Sequence, residues 1–469
     1  MRLGDRINRA LLASGVYDWR WLRAVCAAIL RLARSTGSEE RAVHLLHMFG
    51  DRLVWSGWPF SPGWVNLHAS RFAAHVEHAV WGVTLRPARP ARALTGRPLK
   101  VGVLGNFHLT LGTQKPLFER VPQDAIELHL LDRWAGHSGA EYLKPYAASY
   151  RALKNDSPAE FADAINAVQP DVLLSLVPRS IAYRTFELID TPCIVHICTG
   201  SDLMHHPRVA YHVFTQPEFG YGIRDGRVHC AFTNQPFGDV RAYASWLVCD
   251  ARDLDRGPRR PWAEREPLIV WHGSLYKLYS DRFLNVIFDL LDKHRDVRFE
   301  YFGKGAQVKA IENRAAARGL ANRVAHRGVA GFARDQRGEL RPETFANLRD
   351  TLARARVWPD SFPIGGGSAR FEAFTAGVPS VHMAPTADPP QGPYDDGSLL
   401  ELPWLEARGG VAHSRDEFAA MTERCLLDEA FAESLVRSQD EVVAAVLDGD
   451  AWWRHMRACY DDWSRTLTA

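Results

Sequence analysis

No stretch of this chain is long and apolar enough to span a membrane. The nearest, "LRAVCAAILRLARS" (22–35), is broken by arginines and falls short of the roughly 18 apolar residues a span needs. The opening "MRLGDRINRALLASG" has no uninterrupted apolar core of the kind a secretory leader carries. Cysteine is sparse and unpaired: seven residues (26, 193, 198, 230, 249, 425, 459) with no C-x-x-C spacing. That argues against a disulfide scaffold, a zinc site or a redox motif. Cys193 and Cys198 sit in "TPCIVHIC", where they read as small apolar core residues of a buried strand. Neither sign of charge dominates, since 57 Lys+Arg against 55 Asp+Glu leave a net charge of +2. The basic residues are scattered among acids, so the clustered footprint of a nucleic-acid binder is missing. Low-complexity tracts and sustained repeats are missing too. These absences lead us to expect a soluble cytoplasmic protein.

What remains is the composition of a globular enzyme or binding protein, 46% hydrophobic and 24% charged. At 469 residues the chain is expected to divide into two or three domains. Residues 1–97 read as a helical region. "YDWRWLRAVCAAILRLARS" spaces its apolar groups at three and four, and "SEERAVHLLHMFGDRL" opens with a capping-box pattern. The proline-rich "LRPARPARALTGRP" (85–98) reads as a linker.

From 99 the texture changes. "LKVGVLG", "IELHLLD", "PDVLLSLVP" and "TPCIVHIC" read as buried strands, separated by helical stretches such as "SPAEFADAINAVQ". A cluster of Pro, Arg and Gly, "DLDRGPRRPWAEREP" (253–267), marks a boundary. The alternation then begins again with "LIVWHGSL", "VRFEYFGKG", "RVAHRGV", "ARVWPDSFP" and "VPSVHMAP". The expected fold class is α/β, with two Rossmann-like domains (98–262 and 263–450) facing across a cleft. They are preceded by a small all-helical region and followed by a terminal helix (451–469) that crosses back to the first domain. Core packing is the expected role of that helix's tryptophans.

Four segments carry candidate chemistry. In "DSFPIGGGSARFEAFTAGVP" (360–379), three glycines bare the backbone before a helix that carries one acid, Glu372. Backbone N–H groups and a helix start suit a phosphate, and a carboxylate can accept hydrogen bonds from a vicinal diol. A flexible turn before a core helix is the alternative. In "WHGSLYKLYSDRF" (271–283), Lys277 stands where a strand hands over to a helix, placed to reach a diphosphate as a point charge or else to lie solvated on the surface. In "VLGNFHLT", His108 follows the first strand and is a candidate general base or sugar partner. "CTGSDLMHHP" (198–207) supplies Asp202, His205 and His206 at a strand end. The His-His pair lacks a third ligand at usable spacing, so no metal site is expected.

Together these segments resemble the glycosyltransferases of GT-B architecture, and within them glycosyltransferase family 41, the O-GlcNAc transferase group, with its bacterial cytoplasmic N-glucosyltransferase relatives. "VGVLGNFH" resembles that family's opening strand, loop and histidine. "GSLYKLYSDRFLNVIFDLL" resembles its strand, "LYK" turn and helix, and "DSFPIGGGSARFEAFTAGVP" its Asp-to-Gly-x-Pro block. The resemblance covers roughly 99–400. It implies that Lys277 contacts the donor diphosphate, that the backbone of Gly366, Gly367 and Ser368 cradles phosphate with help from Arg370, and that Glu372 accepts ribose hydroxyls. It also implies that Val329 and Ala330 read uracil and that His108 lies near the reacting sugar.

The chain departs from the family in three places: Gly367-Ser368-Ala369 stands for His-Thr-Thr, Glu for the helix Asp, and Ser274 for a glutamine. The implied activity is metal-independent transfer of a hexosyl or N-acetylhexosaminyl group from a UDP-sugar to a protein or peptide side chain. UDP-sugar is the donor substrate, and no cofactor or metal is expected. His108, Asp202 and His205 are the catalytic candidates. An envelope or capsular glycan as acceptor, a UDP-sugar 2-epimerase and a non-catalytic nucleotide-sugar binder stay open.

Overall fold

The structure, a computed structural model, describes residues 28–29, 31–32, 35–37, 97–105, 118–133, 143–153, 157–177, 179–198, 206, 208–214, 221–224, 227–230, 236–244, 259–279, 281–303, 305, 307–329, 342–362, 365–366, 369–384, 409–446 and 449–467. The helical region expected over 1–97 lies almost wholly outside them. Inter-residue contacts divide the chain into two units. One runs to residue 246, save 112–116, and includes Gly449–Ala469; the other holds 112–116 and 247–448.

The first unit is built on β1 (Leu99–Gly105), β2 (Ile126–Asp132), β3 (Ser149–Ala152), α1 (Pro158–Val168), β4 (Val172–Ser175), α2 (Arg179–Leu188), β5 (Cys193–Cys198), β6 (Val209–Phe214), β7 (Tyr221–Arg224), β8 (Arg227–Cys230) and β9 (Pro236–Ala244). Its sheet runs β3-β2-β1-β4-β5-β6-β9-β8-β7. The first six strands are parallel and keep the doubly wound order 3-2-1-4-5-6. Strands β1 and β4 are buried nearly throughout, as parallel strands covered on both faces must be. Asp171, fully buried just before β4, takes both Nη groups of Arg97 and the Lys100 N–H, which ties the start of β1 to β4. β7 and β8 are antiparallel, and so are β8 and β9. The residues between β7 and β8 are Asp225-Gly226, a pair that favours a two-residue hairpin.

The second unit comprises β10 (Glu266–His272), α3 (Asp281–Lys293), β11 (Arg298–Phe302), α4 (Val308–Ala317), β12 (Val324–His326), α5 (Pro342–Arg354), β13 (Ala355–Pro359), α6 (Ala369–Thr375), β14 (Ser380–Met383), β15 (Val411–Ala412), α7 (Arg415–Leu427) and α8 (Glu429–Val446). Its six strands are all parallel in the order β12-β11-β10-β13-β14-β15. This is again 3-2-1-4-5-6, so the order reverses between β10 and β13, where ligands bind in such sheets. Helix α3 shows why the crossovers form. Phe283, Leu284, Ile287, Phe288 and Leu291 fall on one face and are buried, each contributing about 1.5–3 kcal/mol. They join Trp271, Phe299 and Trp358 in one core.

Helix α9 (Gly449–Thr466) clusters with the first unit. Asp462 accepts a hydrogen bond from the Tyr211 hydroxyl of β6 at 2.9 Å. Trp452, Trp453 and Trp463 are buried, consistent with packing rather than with an exposed stacking platform. Among the described residues, no helix is long and apolar enough to cross a membrane. Cys193 and Cys425 are buried and unbridged, and burial raises both thiols well above their ordinary value.

Candidate functional site

The chemistry of the second unit collects at the carboxyl ends of its central strands. There β10 and β11 run directly into a glycine and β12 reaches one after Arg327, and backbone hydrogen bonds lace these ends together. Gly273 N–H donates to Phe302 O, Gly303 N–H to Gly328 O and Arg327 N–H to Tyr301 O. The Gly303 backbone has φ +149°, and the Gly273 carbonyl lies 2.1 Å from where a Cβ on Gly303 would stand. Only glycine fits so close an approach.

Lys277 sits in a 3₁₀ turn, Leu275–Tyr279, immediately beyond β10. The turn is pinned by the buried side chains of Leu275 and Leu278 and by Lys277 N–H donating to Ser274 O. Lys277 is 8% exposed, and its Nζ donates to the Gly365 carbonyl at 2.6 Å. A solvated surface lysine is thereby excluded: this ammonium is folded onto the glycine loop 88 residues away.

Glu372 lies in α6 with its side chain 23% exposed, and its Oε2 accepts from His272 Nε2 at 2.6 Å. The other imidazole nitrogen, Nδ1, is 3.0 Å from the Trp358 indole nitrogen. An indole N–H only donates. His272 Nδ1 is therefore the acceptor, and the imidazole proton is on Nε2, where it donates to the carboxylate. His272 ends β10 and Trp358 is in β13, so the pair bridges the point where the strand order reverses.

Beneath lies a second network around Asp360, which is fully buried. Its Oδ2 accepts from His382 Nδ1 at 3.0 Å and lies 3.3 Å from Arg370 Nη2, while Oδ1 accepts the Gly366 N–H. Burial pushes the Asp360 carboxyl up, but the Arg370 charge, His382 and the Gly366 N–H outweigh it and hold the group below the ordinary carboxylate range. Burial also lowers the His382 imidazole, against the pull of Asp360.

This network also takes in two of the expected phosphate contacts. The Gly366 N–H is engaged by Asp360, and a Cβ at Gly366 would lie 2.5 Å from the Trp358 ring. A packed indole therefore explains that glycine. Arg370 is 1% exposed and faces Asp360 as its counter-ion. Val329 follows β12, exposed at the same edge of the sheet. His206 is buried in the first unit beside Phe186, with Nδ1 accepting the Arg208 N–H. Burial and the Arg208 charge push it down to about 3, so it is a packing histidine. His108, Asp202, His205, Ala330, Gly367 and Ser368 lie outside the described residues. His272, Trp358 and His382 carry no expectation from the sequence, although "VWH" and "VWPD" mark apolar strands ending in polar groups. Among the described residues, no group of three or more His, Cys, Asp or Glu could hold a metal ion.

Two doubly wound sheets in series, with this polar cluster at the strand ends of the second, define the α/β fold of the GT-B glycosyltransferases. The chain is similar to a solved structure of a lysine-to-methionine mutant of the Thermobaculum terrenum O-GlcNAc transferase: 14% identity, 100% of both chains covered, TM-score 0.58. It is also similar to a glycosyltransferase from Rickettsia africae, at 10% identity over 78% of this chain and 98% of that one, TM-score 0.53. No family model matches the chain, and no curated protein matches it in sequence.

Proposed function

We propose that this protein is a glycosyltransferase that moves a hexosyl or N-acetylhexosaminyl group from a UDP-sugar to a protein or peptide side chain, without a metal. The observation that carries the reading is the Lys277 ammonium, folded onto Gly365 at the strand ends where the Glu372 carboxylate is also held. A diphosphate would compete with the Gly365 carbonyl for Nζ and offer the ammonium an ionised acceptor in place of an uncharged one. The second carboxylate oxygen of Glu372, which has no partner among the described residues, would take a ribose hydroxyl. Val329 and Ala330 would meet the uracil.

In transfer, the acceptor atom attacks the anomeric carbon, the bond from that carbon to the diphosphate oxygen breaks, and its electron pair leaves with UDP. Lys277, with the backbone at Gly367 and Ser368, stabilises the charge that develops there. The acceptor's proton passes to a base drawn from His108, Asp202 and His205. The likeness in fold to an O-GlcNAc transferase supports a protein acceptor over an envelope glycan.

The test is thermal shift of the full chain against UDP, GDP, TDP and CMP, then against UDP-sugars with and without EDTA. UDP at ~100-fold its dissociation constant is expected to raise the melting temperature by several degrees. The shift should vanish in Lys277→Ala, and UDP-sugar turnover should persist in EDTA. No shift with any nucleotide overturns the reading.

A further inference from the structure

We infer that His272 is a positioning residue for ribose recognition: with its tautomer set by Trp358, it fixes the Glu372 carboxylate so that the chain prefers a ribonucleotide donor over a deoxyribonucleotide one. The inference rests on the nucleotide-sugar reading above. A glutamate has three side-chain torsions, and one that is 23% exposed would ordinarily sample several orientations. Here Oε2 is held at 2.6 Å by an imidazole N–H whose ring is itself almost fully buried. The ring cannot flip without cost. Turning it over would exchange Nδ1 with Cδ2 and Nε2 with Cε1, so that ring carbons would face the Trp358 indole N–H, now 3.0 Å from Nδ1, and the carboxylate. Both hydrogen bonds would then be lost, and the buried indole N–H would be left without an acceptor.

Trp358 cannot move aside either, because its ring is fully buried and packs on the Gly366 backbone. Gly366 is in turn held by Asp360. The line from Asp360 through Gly366, Trp358 and His272 ends in one fixed carboxylate. Such a group offers its remaining oxygen in one direction, which is what discrimination between a ribose diol and its deoxy analogue requires. A site built to pair a hydroxyl rejects the ligand that lacks it, because the acceptor is left unpaired.

The experiment is calorimetric titration of the full chain with UDP and with 2′,3′-dideoxy-UDP, beside ligand-free melting temperatures. The unaltered protein is expected to bind UDP about tenfold more tightly than the dideoxy form. His272→Ala should lose that preference by weakening UDP alone. His272→Gln, whose amide N–H can still reach Glu372, should retain most of it. Trp358→Phe keeps an aromatic ring but frees the tautomer, and should lose part of it. Equal weakening of both ligands in His272→Ala, or full preference in both His272→Ala and Trp358→Phe, would overturn the inference. So would equal binding of the two ligands by the unaltered protein, which leaves the nucleotide reading intact. Binding of neither ligand removes that reading and the inference with it.

Discussion

His272 Nε2 and Glu372 Oε2 meet at 2.6 Å although 100 residues separate them in the chain. One belongs to the first strand of the second sheet and the other to the short helix after the fourth, so the contact depends on the doubly wound order that makes β10 and β13 neighbours. The sheet brings an acid and an ammonium to the same strand ends without any motif that joins them in sequence.

Lys277 tests the site most directly. Lys277→Ala is expected to lower kcat by about two orders of magnitude, the size of an effect that removes a charge stabilising the leaving group. The melting temperature should change little, because the turn is held by Leu275 and Leu278. Steady-state turnover of a UDP-sugar measures it, and near-normal turnover takes Lys277 out of the site.

Asp360 should behave as a structural anchor. Asp360→Asn removes the counter-charge that faces the buried Arg370, at a cost of about 3–5 kcal/mol by urea unfolding. The pH dependence follows from the lowered carboxyl. The stability it contributes is present above the unfolded-chain value of about 3.9 and is lost as pH falls through its own lower value. The Asn variant should therefore start lower near neutrality and lose less stability below about pH 4. Equal acid sensitivity in both proteins would argue against a buried anionic Asp360.

The strands were legible for a simple reason. Parallel strands buried on both faces are continuous apolar runs, and "LIVW" (268–271) is such a run. Lys277 was legible as well, because its turn stands between a strand and a helix in one local segment. The Glu372–His272–Trp358 line was not, since its contacts bridge 100 and 86 residues and local patterning carries no such information. Gly366 makes the same point from the other side. A run of glycines suggests a ligand, whereas the Trp358 ring and the Asp360 carboxylate account for this one.

Gly303 and Gly319 offer a paired test of the strand ends. Both have positive φ, but a Cβ at Gly303 meets the Gly273 carbonyl at 2.1 Å, while at Gly319 nothing lies within 4 Å. Gly319→Ala should cost about 1–2 kcal/mol, the strain of a left-handed backbone alone. Gly303→Ala must push two strand ends apart and is expected to abolish soluble folded protein or nucleotide binding. Equal melting temperatures for the two variants would contradict the close approach of β10 and β11.

His206 gives a prediction of opposite chemistry but the same sign of pH dependence. Burial and Arg208 push its imidazole down to about 3, against about 6.5 in an unfolded chain. Between those values the unfolded chain binds a proton that the folded one refuses, so stability falls as pH drops through about 6.5 toward 3. The group is buried, so the effect should reach a few kcal/mol at the acid end of the window. His206→Asn keeps an oxygen that can accept the Arg208 N–H, which Nδ1 accepts at 3.1 Å, and removes the titrating ring. Melting curves between pH 7 and pH 4 should therefore be flatter for the Asn variant, and its curve should cross that of the unaltered protein as pH falls. If the two curves stay parallel over that range, His206 is not the neutral buried imidazole described here.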